Sequence, residues 1–548
     1  MNSSSGDSFA KTNNSNASAL SSDLVSGFVV FLLALPLSLG IAGASDFPPV
    51  YGLITAMIGG MLVSLLAGSE LTIKGPAAGL IVIVAGSVAE LGKGDSVLGW
   101  KLALGAIVVA GFIQVLFGLL KLGSKSDFFP LAAIHGMMAA IGIVIISKQA
   151  HILLGMNPLS ADGKPMFKPV ELLMELANTF SHPFLHQDVA IIGLFSLLLV
   201  FIWPYLPFKF LKKVPSALVV LMASVVLVKI LNVHNISEVK DASGLVITKG
   251  FSPLLSFKEG LIDIIGLKVS FAGFSQTGTF VKYVIMFALV GSLEALLTVK
   301  AIDMLDPLKR KSNLNKDLIA LGIGNIVAGS LGGLPMISEV GRSSANVNNG
   351  GRSRWSNFFH GFFIFLFLLF AVYFSDLIPK SALAAMLIGV GWKLAHPKEF
   401  AHMAQIGWDQ IAVFIATIIL TLAEDLLVGI AFGMLLHFLF HLIKGIRAAD
   451  LFHPGIRVKE EGNSIRIFAG RAAAFTNLIG IRKALNEVPA GKNIVMDFSE
   501  CRLVDHSVLD NLHQFARELQ EAGREFSMEG MEGLKPFSAH PEATRVRN

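Results

Sequence analysis

Apolar residues run along most of the chain in blocks too long for a soluble fold. GFVVFLLALPLSLGIAG (Gly27 to Gly43) and FFIFLFLLFAVYF (Phe362 to Phe374) contain no charged side chain. At about 20 residues per bilayer crossing, such blocks predict about fourteen spanning helices. The first seven fall roughly at 23–44, 50–67, 76–91, 99–121, 128–153, 188–206 and 214–231. The second seven fall roughly at 282–301, 316–332, 341–350, 357–375, 380–395, 408–424 and 425–447.

Two of these, the third and the tenth, are short and broken. LTIKGPAAGL (Leu71 to Leu80) sets a lysine and a Gly-Pro pair at the start of the third. LGGLPMISEVGRSSANV (Leu331 to Val347) sets a glutamate and an arginine at the start of the tenth. Hydrocarbon offers no partner to a charge or to a freed backbone group, so irregular chain at that depth lines a cavity. The third and tenth spans hold the same rank in two halves of seven. An odd displacement inverts one half relative to the other, as in inverted-repeat transporters, whose discontinuous helices meet near the bilayer midplane. Thr72-Ile73-Lys74 is expected to be a short extended lead-in, with Gly75-Pro76 opening a helix and proline at its first position. In the second half Pro335 to Ser338 is the extended lead-in. A helix then starts between Val340 and Arg342, with Ser338 as N-cap.

Composition agrees with a polytopic membrane protein. Of 548 residues 53% are hydrophobic and only 15% charged, against about 25% in soluble domains. Mean hydropathy is +0.67. The formal charge of +5 lies in short loops, which argues against a nucleic-acid partner. Lysine and arginine follow the even-numbered spans: Lys121 and Lys125, Lys209, Lys212 and Lys213, Lys309 to Lys311, Arg352 and Arg354, Lys398, and Lys444 with Arg447. By the positive-inside rule these ends and both termini are cytoplasmic, in a multi-pass protein of the cell membrane. The single cysteine, Cys501, excludes an internal disulfide framework and fits a cytosolic setting.

Two regions lie outside the membrane pattern. Residues 1–22 are Ser/Asn-rich and are expected to be unstructured, and they lack the basic start of a cleaved signal peptide. Residues 23–447 form the expected membrane domain, and 448–533 change to a soluble pattern. There IRIFAG, NIVMDFS and EFSMEG read as strands, and Ser507 to Gly523 as an amphipathic helix ending at glycine, which makes a small α/β domain. Residues 534–548 are expected to be a loose tail.

The charged residues in the spans supply the candidate chemistry. Two helix N-termini facing one cavity offer unpaired N–H groups and partial positive charge to an anion. Arg342 adds a full charge and a fork suited to a carboxylate or oxyanion, or else closes an internal salt bridge. Lys74 either contacts the anion, snorkels or forms a structural pair. Glu294, with Thr298 four residues on along the same helix face, and Glu339 are candidates for coupling to a proton or a cation. Alternatively they neutralise Lys74, Arg342 or Lys300. No nucleophile–base set, metal-ligand cluster or nucleotide loop is evident, so an enzyme is not expected, and neither is a cofactor or metal beyond a coupling H+ or Na+.

These residues fall in motifs that resemble the SulP anion transporters, the family of sulfate permeases and prestin-like carriers. The resemblance runs from about Asp23 to Gly533. It rests on DLVSGFVVFLLALPLSLGIA with FPPVYGL, on GPAAGLIVIV, HGMMAAIGIVIISKQ and GSLEALLTVKAID, and on GRSSANVNNGGRSR. VMDFSECRLVDHSVLDNLHQFARELQEAG resembles a STAS domain. The resemblance implies an all-α fold of seven plus seven inverted helices with core and gate domains sliding as an elevator, commonly in a homodimer, and a STAS domain able to bind a cytoplasmic partner. It implies an anion site between the N-termini of spans three and ten, on Gly75, Pro76, Ala77, Gly341, Arg342 and Ser343, and a coupling position at Glu294.

Lys74, Glu339 and Gly341 depart from the family pattern, and a carboxylate beside the site favours H+- or Na+-linked uptake over simple chloride passage. In the STAS segment Asp505-His506-Ser507-Val508 departs as well. Ser507 falls on a position phosphorylated in soluble relatives, without the usual glycine, and His506 is expected to be a surface turn residue. The expected function is secondary active transport of a sulfate-, bicarbonate- or dicarboxylate-type anion. A nucleobase-type H+ symporter on the same architecture, which would use Glu294 and Glu339, and an uncoupled anion exchanger, channel or scaffold are the alternatives.

Overall fold

The computed structural model describes residues 6–123, 129–156, 166, 168–181, 187–207, 214–234, 238–240, 246–249, 253–256, 264–374, 376–453, 455–489, 491–521 and 523–547. Lys125, Lys209, Lys212 and Lys213 of the orientation argument lie outside them. A helix occupies each of the expected placements. In the first half these are α1 (Gly6–Ala44), α2 (Val50–Ile58), α3 (Ile81–Gly92), α4 (Ser96–Leu119), α5 (Leu131–Leu153), α6 (Gln187–Ile202) and α7 (Ser216–Ile230). In the second they are α8 (Thr277–Leu305), α9 (Leu314–Ser330), α10 (Val340–Asn348), α11 (Trp355–Phe370), α12 (Lys380–Leu394), α13 (Trp408–Ala423) and α14 (Leu426–Ile443). Seven helices among the described residues are long and apolar enough to cross a membrane, and four more are apolar but shorter. α10, at nine residues, is the shortest of the second set.

By its contacts the chain divides into two compact units, residues 1–124 with 142–393, and residues 125–141 with 394–548. In the first unit the close helix crossings are made by glycine. A Cβ on Gly60, in the π-helical turn Gly59–Val63 that continues α2, would lie 2.4 Å from the Cα of Gly361 in α11. A Cβ on Gly322 of α9 would lie 2.5 Å from the Gly111 carbonyl of α4. α1 also packs on α11, through Phe28 and Phe363 at 5.1 Å between ring centroids, and α8 on α4, where Gln114 donates to the Phe287 carbonyl at 3.4 Å.

Between these crossings runs a two-stranded ribbon. β1 (Lys74–Pro76) pairs antiparallel with β2 (Met336–Ser338), Lys74 opposite Ser338 and Pro76 opposite Met336. Each broken span thus satisfies the backbone of the other. Side chains of α9 and α10 take up the remaining groups: Met336 N–H donates to Asn325 Oδ1 at 2.7 Å, and Asn346 Nδ2 donates to the Leu71 carbonyl at 2.8 Å. Gly59 leaves room for the ribbon, since a Cβ there would lie 2.6 Å from the Lys74 carbonyl. Lys74 itself is fully buried, its ammonium 2.7 Å from Asp317 of α9 and donating to Ser338 Oγ at 2.6 Å and Thr72 Oγ1 at 2.8 Å.

The second unit contains α13, α14 and the C-terminal α/β region. Strands β3 (Arg457–Glu461), β4 (Ser464–Phe468), β6 (Asn493–Asp497) and β8 (Phe526–Glu529) form one sheet in the order β8-β6-β4-β3, parallel except for the β3–β4 hairpin. Helices α15 (Leu478–Asn486) and α16 (His506–Glu521) cover it, burying Leu478, Ile481, Val508 and Leu512 against Ile467 and Met496. A second, short sheet joins β5 (Ala472–Ala473), β7 (Leu503–Val504), β9 (Lys535–Pro536) and β10 (Arg545–Val546) in the order β9-β10-β7-β5. The boundary expected at 447/448 therefore separates no compact units: Phe438 and Leu442 of α14 share an apolar cluster with Leu451, Ala472 and Leu503.

Other expectations are corrected by the packing. Helix α1 begins at Gly6, inside the leader expected to lack structure, because extending an existing helix adds one hydrogen bond for each residue fixed. The tail after Leu534 is tied down by β9 and β10, with Ala543 and Thr544 fully buried and Ser538 Oγ donating to the Gln405 carbonyl at 2.7 Å. Pro76 closes β1 instead of opening a helix: a 3-10 turn at Ala78–Leu80 leads into α3, and the ring occupies the extended backbone that pairs with Met336. Glu339, not Ser338, caps α10, its Oε2 accepting from Arg342 N–H at 2.7 Å, because Ser338 is engaged by Lys74. His506 is buried, not a surface residue. Burial pushes its imidazole down to about 4, and it meets the Glu542 carbonyl at 3.1 Å.

Two outcomes follow. Removing one partner of the Lys74–Asp317 pair leaves a buried charge uncompensated, so Asp317→Ala is expected to cost about 3–5 kcal/mol. The apparent Tm in detergent reads this, and the loss should shrink when Lys74→Met is added. Burial pushes the Cys501 thiol up to about 12, and its Sγ–H donates to the Gly470 carbonyl at 2.9 Å. The thiol stays protonated below that value, so maleimide at pH 8 should label Cys501 only after denaturation; prompt labelling of the native protein contradicts the buried placement.

Candidate functional site

The ribbon brings the two interrupted spans to one place. A Cβ on Gly75 would lie 2.5 Å from Nη1 of Arg342, so glycine at that position lets the guanidinium lie directly against the ribbon and a side chain there would push it aside. Arg342 is fully buried, and Nε, Nη1 and Nη2 all lack a hydrogen-bond partner. Its nearest carboxylate oxygen, Glu339 Oε2, is 3.9 Å from Nε, beyond hydrogen-bond distance. Burying an arginine with all three donor nitrogens unpaired is costly, and such a group either is strained or awaits an acceptor. The first turn of α10 opens outward at Val340 and Gly341, both exposed, while Pro76 and Ala77 on the other side of the ribbon are buried.

Each interrupted span also meets a carboxylate at its start. Glu339 caps α10. A Cβ on Gly79, in the turn ahead of α3, would lie 2.3 Å from both carboxylate oxygens of Glu294, so this second glycine admits the acid from α8. Negative charge at a helix N-terminus is favourable. The two acids therefore hold the places that an incoming anion would seek. Thr298 is buried one turn beyond Glu294.

Of the residues expected at the site, Gly75, Gly341, Arg342, Glu339 and Glu294 are thus assembled around the two helix starts. Lys74 and Ser343 have other work. The Lys74 ammonium is consumed by Asp317 and three hydroxyls. Ser343 Oγ accepts from Ile73 N–H at 2.9 Å and donates to the Glu339 carbonyl at 2.6 Å, stapling the ribbon to α10. Ser507 lies in the other unit, buried, with its hydroxyl accepting from Leu131 N–H at 3.1 Å. Sequence reasoning missed Asp317 and Asn325, which hold Lys74 and Met336. The available signal was two polar residues eight apart, bracketing the apolar run Leu318 to Gly324.

Comparison with known proteins agrees with this architecture. The model of the sulfate permease family matches residues 20–419. YvdB of Bacillus subtilis is 29% identical over 458 residues, covering 83% of this chain and 80% of that protein. The bicarbonate transporter BicA of Picosynechococcus is 24% identical over 420 residues, covering 75% and 68%. Among solved structures, the transmembrane domain of a cyanobacterial BicA superposes with a TM-score of 0.61 at 25% identity, over 75% of this chain and 97% of that one. SLC26A9 shares the fold, with a TM-score of 0.63 at 13% identity over 94% and 85%. With 400 consecutive positions, 20–419, matched by the family model, the chain belongs to the sulfate permease family, a family of multi-pass membrane anion transporters and not of enzymes.

Proposed function

We propose that this protein is a secondary active transporter in which Arg342 and the N-terminal turns of spans three and ten hold a small oxyanion or carboxylate, and in which Glu294 couples its movement to a proton or sodium ion. The observation that carries the reading is the buried guanidinium with three unpartnered nitrogens beside Gly75. A planar, bidentate donor matches sulfate, bicarbonate or a carboxylate, and a neutral nucleobase would leave its charge uncompensated. Relatives named for bicarbonate and for sulfate support taking both anions as candidates.

Protonating Glu294 removes negative charge from the turn at Gly79 and leaves the arginine and helix dipoles to attract the anion. Proton and anion then favour each other's binding, and the reciprocal coupling free energy is what drives accumulation. A sodium ion held by Glu294 and Thr298 would act with the same sign. Glu339 stays as the cap of α10 and keeps the cavity from being so positive that anions fail to leave.

The same reading takes the two halves as inverted repeats. Contacts come in matched sets under a shift of seven spans: α1 on α11 with α8 on α4, α2 on α11 with α9 on α4, and β1 with β2. It also takes the core to slide past the gate in a homodimer, with both termini cytoplasmic and a STAS-type C-terminal region open to a partner.

Uptake into proteoliposomes, measured over a panel of sulfate, bicarbonate, dicarboxylate and chloride under separate pH and sodium gradients, tests the proposal. One gradient should drive accumulation and uracil should not compete; flux that ignores both gradients would establish uncoupled exchange. Arg342→Gln should weaken anion binding by roughly 10- to 150-fold, the loss of about 1.5–3 kcal/mol for a hydrogen bond to a charged group. Glu294→Gln mimics the protonated acid. It should keep anion binding and lose gradient-driven accumulation, and unchanged accumulation removes Glu294 from coupling.

A further inference from the structure

A second cluster of unpartnered polar groups lies in the other unit. His437 and His441 stand one turn apart on α14, their rings 4.6 Å apart between centroids. Both are buried, at 1% exposure each, and none of their four ring nitrogens has a hydrogen-bond partner. Facing them is Asp505, fully buried, with Oδ2 at 3.7 Å from His437 Nε2. One ligand atom from each of the three residues lies within 4.8 Å of the others.

Ordinary packing accounts poorly for this set. A neutral imidazole carries one donor and one acceptor, so two such rings bury four groups that water would satisfy, each at a cost of about 1–3 kcal/mol. At 3.7 Å the His437–Asp505 approach is too long for a hydrogen bond. Two histidines at i and i+4 on a helix with one carboxylate from elsewhere form a recurrent ligand set for zinc. Bonds of about 2.0–2.2 Å in a tetrahedron put ligand atoms roughly 3.3–3.6 Å apart, slightly closer than these three stand.

The carboxylate is already oriented for the task. Asp505 Oδ1 accepts from Val508 N–H at 2.8 Å and Oδ2 from Phe475 N–H at 2.6 Å, which fixes the group while leaving oxygen lone pairs toward the rings. The Phe475 ring packs on His437 at 5.3 Å and on His441 at 6.2 Å, walling the cluster with hydrocarbon. The nearby cation, Lys444, is engaged by Asp409 at 3.2 Å.

We propose that His437, His441 and Asp505 form a site for a divalent transition-metal ion of the zinc class, joining the last spanning helix to the C-terminal α/β region. The ion takes one lone pair from each ring and one carboxylate oxygen, and a small fourth ligand such as water completes four-coordination. Because Asp505 also caps the start of α16, metal binding stiffens the link between α14 and that helix.

The test uses the full-length, tag-free protein in detergent, stripped with chelator and titrated with Zn2+ by calorimetry and with Co2+ by visible absorption. About one equivalent should bind, and Co2+ should show the intense d–d bands of a low-coordinate N/O site. His437→Leu and His441→Leu should each weaken binding at least about 100-fold, more than loss of an outer-shell partner. Elution volume and anion uptake serve as the check on folding. Absence of stoichiometric Zn2+ binding in the wild-type protein, or a six-coordinate Co2+ spectrum, overturns the proposal. So does equal binding by the folded double variant, which would assign the metal to surface histidines.

Discussion

One buried ion pair holds the membrane part of this protein in register. Lys74 sits at the start of β1 and reaches Asp317 on α9, while its backbone is paired to Ser338 of β2. In hydrocarbon neither the charge nor the unwound backbone of either short span is tolerable alone. Put side by side, each supplies what the other lacks. The pair fixes which residue of the first half lies opposite which of the second, and so brings Gly75 against Arg342. A one-residue slip in so short a ribbon would turn the lysine away from its acid, so the ionic contact acts as a register pin more than as a source of net stability.

Glycine does the complementary work. Gly60 against Gly361 and Gly111 against Gly322 let helix backbones nearly touch, and Gly75 and Gly79 let Arg342 and Glu294 press against the ribbon and the turn after it. Close approach of small residues is how helices associate where no hydrophobic force drives them together. The arginine and the glutamate are thereby presented to one locality from different elements, α10 and α8. Both stand against the lead-in of the third span, Arg342 at Gly75 and Glu294 at Gly79.

Much of this was legible in the sequence. Long apolar blocks placed most helix ends to within a few residues, the start of α1 at Gly6 apart, and the two broken spans with their Gly-Pro and Leu-Pro signals marked the candidate site. What could not be read was how polar side chains would be shared. Whether Lys74 contacts the anion, snorkels or closes a structural pair stays open in the sequence, because its partner lies 243 positions away. Ser338 looked like the cap by residue type, yet the lysine takes its hydroxyl and leaves that office to Glu339. The C-terminal tail looked loose because strands of two residues, Lys535–Pro536 and Arg545–Val546, have no periodicity to detect. His437 and His441 read as part of an apolar helix, and only the fold brings Asp505 to them.

The pairing of β10 with β7 bears on how the protein keeps to itself. Leu503 and Val504 are fully buried, and their outer backbone edge is closed by Arg545 and Val546. A chain cut ahead of Leu534 would leave that apolar edge bare to solvent. Open edges recruit strands from other molecules. Residues 534–548 thus act as a built-in cover for this sheet edge, and clipping there would expose a strand able to pair with other molecules.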